Sequence, residues 1–159
     1  MRKLWNRPVA AVWSLVTKDE KWGANLNICT YVTSVSLKPK LILIVVYRGT
    51  RTLENLRRER TTLLQLLPVE LAPVVRVAGQ QSGRTVDKWA RLKRRFTVGE
   101  LGGLPYLADA LGVIQLQIIE EYEASGDHLL VVARVIKNKN LHTGEILTTE
   151  YLRQNAYIR

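Results

Sequence analysis

The sequence predicts a mainly β protein, a barrel or sandwich carrying two or three short helices. Three observations lead there. Segments rich in β-branched and aromatic residues recur from residues 8–17 to residues 127–138. Leu41 to Tyr47, Leu-Ile-Leu-Ile-Val-Val-Tyr, is an unbroken apolar run of strand length. Polar segments holding glycine or proline separate the strand-like stretches at turn-sized spacing.

The elements follow in order. Residues 8–17 read as a strand, and residues 18–23 as a hairpin turn ending in Gly23. Residues 24–31 form a second strand, whose Asn25 and Asn27 need partners wherever they are buried. Residues 33–37 lead to a turn that Pro39 forces. The apolar run 41–47 is expected to be buried on both faces. Residues 51–60 read as a helix with Leu53 and Leu56 on one face, and residues 61–67 return to strand. A short helix is expected over 73–78, a loop over 79–84, and a helix over 85–92 capped by Thr85. Gly99, Gly102, Gly103 and Pro105 mark another loop. Residues 112–122 and 127–138 read as two long strands joined by a hairpin loop at 123–126, with one more short strand over 145–149. The chain shows no internal repeat and reads as one domain over 1–159.

Composition narrows the chemistry. Of 159 residues, 47% are hydrophobic, enough for a packed core and against disorder. The single cysteine, Cys29, excludes an internal disulfide and multi-thiolate metal sites. It reads as a small buried hydrophobe rather than a reactive thiol, and it fits a reducing cytoplasm. His128 and His142 have no clustered carboxylates in sequence, so no metal is expected. The longest apolar run is far shorter than the ~20 residues a membrane-spanning helix needs. Arg2, Lys3 and Arg7 ahead of an apolar stretch resemble a secretory leader, but no small-residue cleavage site follows; the stretch reads as a mature first strand. The net charge of +10 suits anionic partners, whether nucleic acid, anionic membranes or phosphorylated cofactors. The same basic residues also read as solvated faces that keep the protein soluble.

Three segments could carry a site. At the strand-to-helix junction 47–56, backbone N–H groups of the helix start would join the hydroxyls of Thr50 and Thr52 and the guanidinium of Arg51 in a phosphate cradle. The same residues equally describe a capped helix with a solvated arginine. In the segment 80–89, Gly83 admits close backbone approach and Ser82, Arg84 and Lys88 supply donors; an ordinary surface loop reads the same way. It lacks the Gly-Lys-Ser/Thr element of a P-loop. The segment 24–30, with Ser34 and Ser36 beyond it, mixes amides, hydroxyls and apolar residues, as a planar polar ring requires; a polar edge strand would look alike.

Together these segments resemble the flavin reductase-like domain family, the FMN-binding split barrels. The resemblance rests on Val35-Ser36 followed by Pro39 and an apolar strand, and on Arg51-Thr52-Leu53-Glu54-Asn55 opening a helix. It rests further on Ser82-Gly83-Arg84 with Asp87-Lys88-Trp89, and on Gly126-Asp127-His128 opening a late strand. It covers roughly residues 8–138. It implies a split β-barrel, usually a homodimer, with FMN as the usual cofactor (FAD as the alternative) and NADH or NADPH as transient co-substrate. Carried over by position, Asn25, Asn27, Cys29, Thr30, Ser34 and Ser36 would lie along the ring and ribityl chain. Arg51, Thr52 and Asn55 would lie at the phosphate, Ser82, Gly83 and Lys88 would close over it, and His128 would stand near the reacting rings. Residues 151–159 depart from the family's usual ending, which leaves the nicotinamide pocket less supported than the flavin site.

The resemblance implies an NAD(P)H-dependent flavin reductase. Two other readings stay open on the sequence. One is an FMN-binding electron carrier without nicotinamide activity. The other is a basic β-barrel binding single-stranded nucleic acid through Trp5, Trp13, Trp22, Trp89 and the arginine clusters, which an aromatic content of 7% disfavours.

Overall fold

The computed structural model describes residues 4–6 and 8–158; Arg2, Lys3 and Arg7 lie outside the described residues. The fold is mainly β with short helices, as expected. Strands β1 (Trp13–Asp19), β2 (Gly23–Cys29), β3 (Val32–Leu37), β4 (Lys40–Tyr47), β5 (Thr61–Leu66), β8 (Gly112–Glu123) and β9 (His128–Asn140) form one antiparallel sheet in the order β2-β1-β5-β8-β9-β4-β3. Strands β6 (Val98–Leu101) and β7 (Leu104–Leu107) form a separate hairpin. The helices are α1 (Arg51–Glu59), α2 (Val74–Ala78), α3 (Lys88–Leu92) and α4 (Thr149–Gln154). None of the described helices is long and apolar enough to cross a membrane.

The sheet does not close by pairing its edges. Its edge strands, β2 and β3, are nevertheless consecutive in sequence, joined only by Thr30 and Tyr31. The chain therefore bridges from one edge to the other. At that seam the Val45 N–H donates to the Tyr31 carbonyl at 3.0 Å.

Two apolar clusters lie on opposite faces of the sheet. One joins Val16, Leu26 and Leu63 to α2, α3, the β6–β7 hairpin and α4. The other joins Leu15, Ile44, Leu64, Leu116 and Leu129 to Leu53 and Leu56 of α1, which plugs the inside of the curl. Thr50 caps α1 by accepting from the Leu53 N–H, and Arg60 ends it in a left-handed conformation with φ 57°.

Several expectations need correction. The strands buried on both faces are β1 and β5, not the apolar run. Their buried polar positions pair with one another: Gln65 Nε2 donates to Ser14 Oγ at 2.9 Å, and Thr62 Oγ1 to the Val16 carbonyl at 2.6 Å. In β4 burial alternates, with Ile42, Ile44 and Val46 inward and Leu43 and Val45 half-buried outside. The strand expected over 8–17 starts only at Trp13; before it, Ala11 makes an isolated bridge to Thr148. The expected loop at 99–105 is the β6–β7 hairpin, turned by Gly102 and Gly103 at φ 58° and 76°. Asp87, not Thr85, caps α3, accepting from the Ala90 N–H at 2.9 Å. The strand expected over 145–149 reduces to single bridges at Ile146 and Thr148, and α4 begins at Thr149.

Candidate functional site

The start of α1 is built on a buried carboxylate. Asp19, at the end of β1, accepts from the Lys21 and Trp22 N–H groups, from Asn55 Nδ2 at 2.9 Å and from Arg51 Nε at 2.7 Å. Burial alone would push this carboxyl up. The hydrogen bonds from Arg51, Asn55, Trp22 and Lys21 outweigh it and hold the group at about 2, against an ordinary 3.8. Asn55 also donates to Thr17 Oγ1 at 3.1 Å. Arg51 Nη1 reaches Glu54 at 3.2 Å, and the same carboxylate pairs with Arg84, whose Nη1 donates to the Gly49 carbonyl at 2.7 Å. Two arginines from separate segments thus converge on Glu54 at the helix N-terminus.

A second network ties β2 to the segment after α2. Asn25 Nδ2 donates to Thr52 Oγ1 at 3.2 Å, while Asn25 Oδ1 is buried with no partner among the described residues. Gly83 packs on this amide so closely that a Cβ there would lie 2.1 Å from Asn25 Oδ1. The Gly83 carbonyl accepts from Trp22 Nε1 at 3.0 Å. Lys88 is buried, and its Nζ donates to the carbonyls of Leu26 and Ala78, each at 2.7 Å. Burial pulls its ammonium down to about 8.

At the seam, a cavity of about 110 Å³ is lined by Asn27, Cys29, Thr30, Tyr31, Thr52 and His128, among others. Cys29 is buried, which pushes its thiol up to about 12. His128 faces Tyr47 across the β4–β9 ladder. Its ring stands edge-on to Tyr31 and Tyr47, with centroids at 5.6 and 5.3 Å, and Nδ1 lies 2.6 Å from Asp127 Oδ1. That contact holds the Asp127 carboxyl below its ordinary range.

Of the residues named from sequence, Asn27, Cys29, Thr30, Thr52 and His128 line this one cavity. Asn25 reaches it through Thr52. Arg51 and Asn55 stand behind it, bound to Asp19. Gly83 backs Asn25, Ser82 Oγ accepts from the Arg84 N–H, and Lys88 is a buried tie between β2 and α2. Ser34 and Ser36 line a different groove of about 610 Å³, with Trp13, Leu41 and Ile114. Asp19, Tyr31, Tyr47 and Glu54 were not singled out; only the pairing of Asp19 with the distant Arg51 reveals the first, and sequence spacing carries no sign of it.

The model of the flavin reductase-like domain family matches residues 1–153. The chain belongs to that family. No curated protein sequence matches it. Solved structures of similar fold include an FMN-binding protein from Thermus thermophilus with bound p-hydroxybenzaldehyde, at 22% identity and TM-score 0.75, covering 88% of this chain and 77% of that one. The NADH:FAD oxidoreductase of Streptomyces globisporus aligns at 22% identity and TM-score 0.77, covering 91% and 82%. The flavin reductase PheA2 aligns at 25% identity and TM-score 0.74, covering 91% and 87%. In this flavin reductase-like chain, the seam and the start of α1 lie side by side through Thr52, which lines the cavity from within the first turn of the helix.

Proposed function

We propose that this chain binds FMN at the seam and passes hydride to it from NADH or NADPH. The observation that carries the reading is the convergence of Asn27, Cys29, Thr30, Thr52 and His128, from β2, its exit, α1 and β9, on one cavity in a flavin reductase-like domain. Flavin supplies the hydride-accepting centre, and the protein supplies position and charge.

The residues present suit such a group. Asn25 Nδ2 orients the Thr52 hydroxyl, which lines the cavity and would meet the ligand directly. The start of α1 offers N–H groups and positive dipole to a phosphate. Arg51 and Arg84 now share Glu54, and a phosphate would compete with that carboxylate for both guanidinium groups. Thr52 would present its hydroxyl between the two parts. His128, steadied by Asp127 and the two tyrosines, would stand at the mouth, where a nicotinamide enters.

The cavity is smaller than the ~300 Å³ of a pocket that encloses a small ligand. A flavin would therefore sit with its edge in the seam and much of its ring outside. We assign the missing wall to a second copy of the chain. The outward face of β4 and β9 supports this: Leu43 pairs with Val132 and Val45 with Leu130, all half-buried, and Val45 also lines the cavity. FMN is the preferred flavin, with FAD second, and the free Cys29 fits a reducing cytoplasm.

Titrating the apoprotein with FMN and FAD tests the site, and sedimentation measures the dimer. A dissociation constant beyond the millimolar range for both flavins would overturn the reading. Anaerobic mixing of the flavin-loaded protein with NADH or NADPH then separates a reductase from a carrier. A reductase bleaches the flavin absorbance; a carrier leaves it unchanged.

A further inference from the structure

Glu54 stands where two arginines from separate segments meet, and neither arginine depends on it for position. Arg51 Nε is held by Asp19 at 2.7 Å, and Arg84 Nη1 by the Gly49 carbonyl at 2.7 Å. The donors left over go to Glu54: Arg51 Nη1 to Oε2 at 3.2 Å, and Arg84 Nη2 to Oε1. One carboxylate oxygen thus faces each guanidinium, an arrangement that the oxygens of a phosphate would also satisfy. The hydrogen bond from Arg84, and then that from Arg51, hold the Glu54 carboxyl below its ordinary range, so it stays ionised at neutral pH.

The other carboxylates around α1 lack this setting. Arg48 pairs with Glu123, and Arg58 with Glu20 and Glu59. Glu121 also takes two arginines, Arg57 and Arg60, but at the end of the helix whose carbonyls disfavour an anion. Glu54 lies in the first turn, as does Thr52, which lines the seam cavity. Glu54 also has a second place to go. A hollow of about 230 Å³ borders it, lined by Arg48 and Arg57 among others. The side chain can therefore leave Arg51 and Arg84 and remain beside positive charge.

We propose that Glu54 is an internal stand-in for the flavin phosphate, and that it makes the flavin an exchanging ligand rather than a fixed group. The inference rests on the flavin reading above. In the free protein Glu54 neutralises the two guanidinium groups. An arriving phosphate takes them, and Glu54 turns to the hollow between Arg48 and Arg57. The carboxylate competes again whenever the phosphate loosens, so it shortens the stay of the flavin.

The test uses the full chain, with Glu54→Gln and, as a variant with the same change of net charge farther along α1, Glu59→Gln. Thermal melts check that each is folded. Fluorescence titration measures FMN and riboflavin, which lacks the phosphate, and stopped-flow dilution measures release. E54Q should bind FMN about threefold or more tighter than the unaltered chain, through slower release, and riboflavin within about twofold. E59Q should change neither by more than about twofold. FMN affinity that is unchanged in E54Q, or raised equally in E59Q, would overturn the proposal. So would affinity lowered for FMN and riboflavin together, since Glu54 would then be a structural tie. If the unaltered chain binds neither flavin, the flavin reading fails, and calorimetry with inorganic phosphate still decides on Glu54. Tighter phosphate binding in E54Q alone upholds it as a stand-in for an anion, and unchanged binding overturns it.

Discussion

The cations around α1 and those after α3 are similar in kind and opposite in setting. Around α1 each arginine holds a carboxylate, and the deepest of these, Asp19, joins the end of β1 to two residues of the helix. After α3, Lys93, Arg94 and Arg95 meet no acid among the described residues and face solvent. The first set acts inward, fixing where α1 begins beside the seam. The second leaves its field to the surroundings. Net charge read from composition merges the two, and only the pairing separates them.

The largest effect should come from the inward set. Asp19→Ala leaves Asn55 and the Lys21 and Trp22 N–H groups without their acceptor and leaves Arg51 only Glu54; it should cost about 2–4 kcal/mol, as several unpaired donors do, measured by urea unfolding. The same pairing has a pH signature. Asp19 is held at about 2 against 3.8 when unfolded, so its stabilisation is present above about pH 4 and is lost as pH falls from there toward 2. An acid-unfolding curve unchanged by the substitution would remove Asp19 from its central place.

Next in size, the double variant R51A/T52A should weaken FMN binding by about 1.5–3 kcal/mol for each charged hydrogen bond lost. Fluorescence titration measures it, and unchanged affinity would mean that the phosphate lies elsewhere. Gly83→Ala forces a methyl group against Asn25 and should cost about 1–3 kcal/mol, read from the thermal midpoint. Lys88 gives a smaller, pH-dependent effect. Its ammonium is pulled to about 8, so the folded state loses its proton before the unfolded state does, and stability gains as pH rises from 8 toward 10.5. Lys88→Met should lack that gain. The outward set should matter least to stability: R94E/R95E should change unfolding by less than about 0.5 kcal/mol, so a large loss there would break the contrast.

Much of the architecture was legible in the sequence because hydrophobic pattern and turn residues spoke for it. The long hairpin of β8 and β9, the helix from Arg51 and the turn before Gly23 are of this kind. Strand β1 was placed but its double burial was hidden, because Ser14 and Thr17 look solvent-facing until Gln65 and Asn55 are seen to pair with them. The β6–β7 hairpin was obscured by glycines, which mark turns and loops alike. For the candidate site, the residues were named through family resemblance and not through spacing. Thr30 and His128 lie nearly a hundred positions apart, and only the sheet order brings them to one cavity. Ser34 and Ser36 lie in another groove because β3 runs away from the seam, and they pair with Ile42 and Leu41 at the far end of β4.

That sheet order has a consequence for sequence change. Where β2 and β3 end without pairing to each other, their outer main-chain groups have no strand partner across the seam. Main-chain donors and acceptors survive almost any side-chain replacement. If flavin binds there as proposed, the contacts it makes to main chain would persist while the side chains beside them change, and only the side-chain contacts would be open to drift.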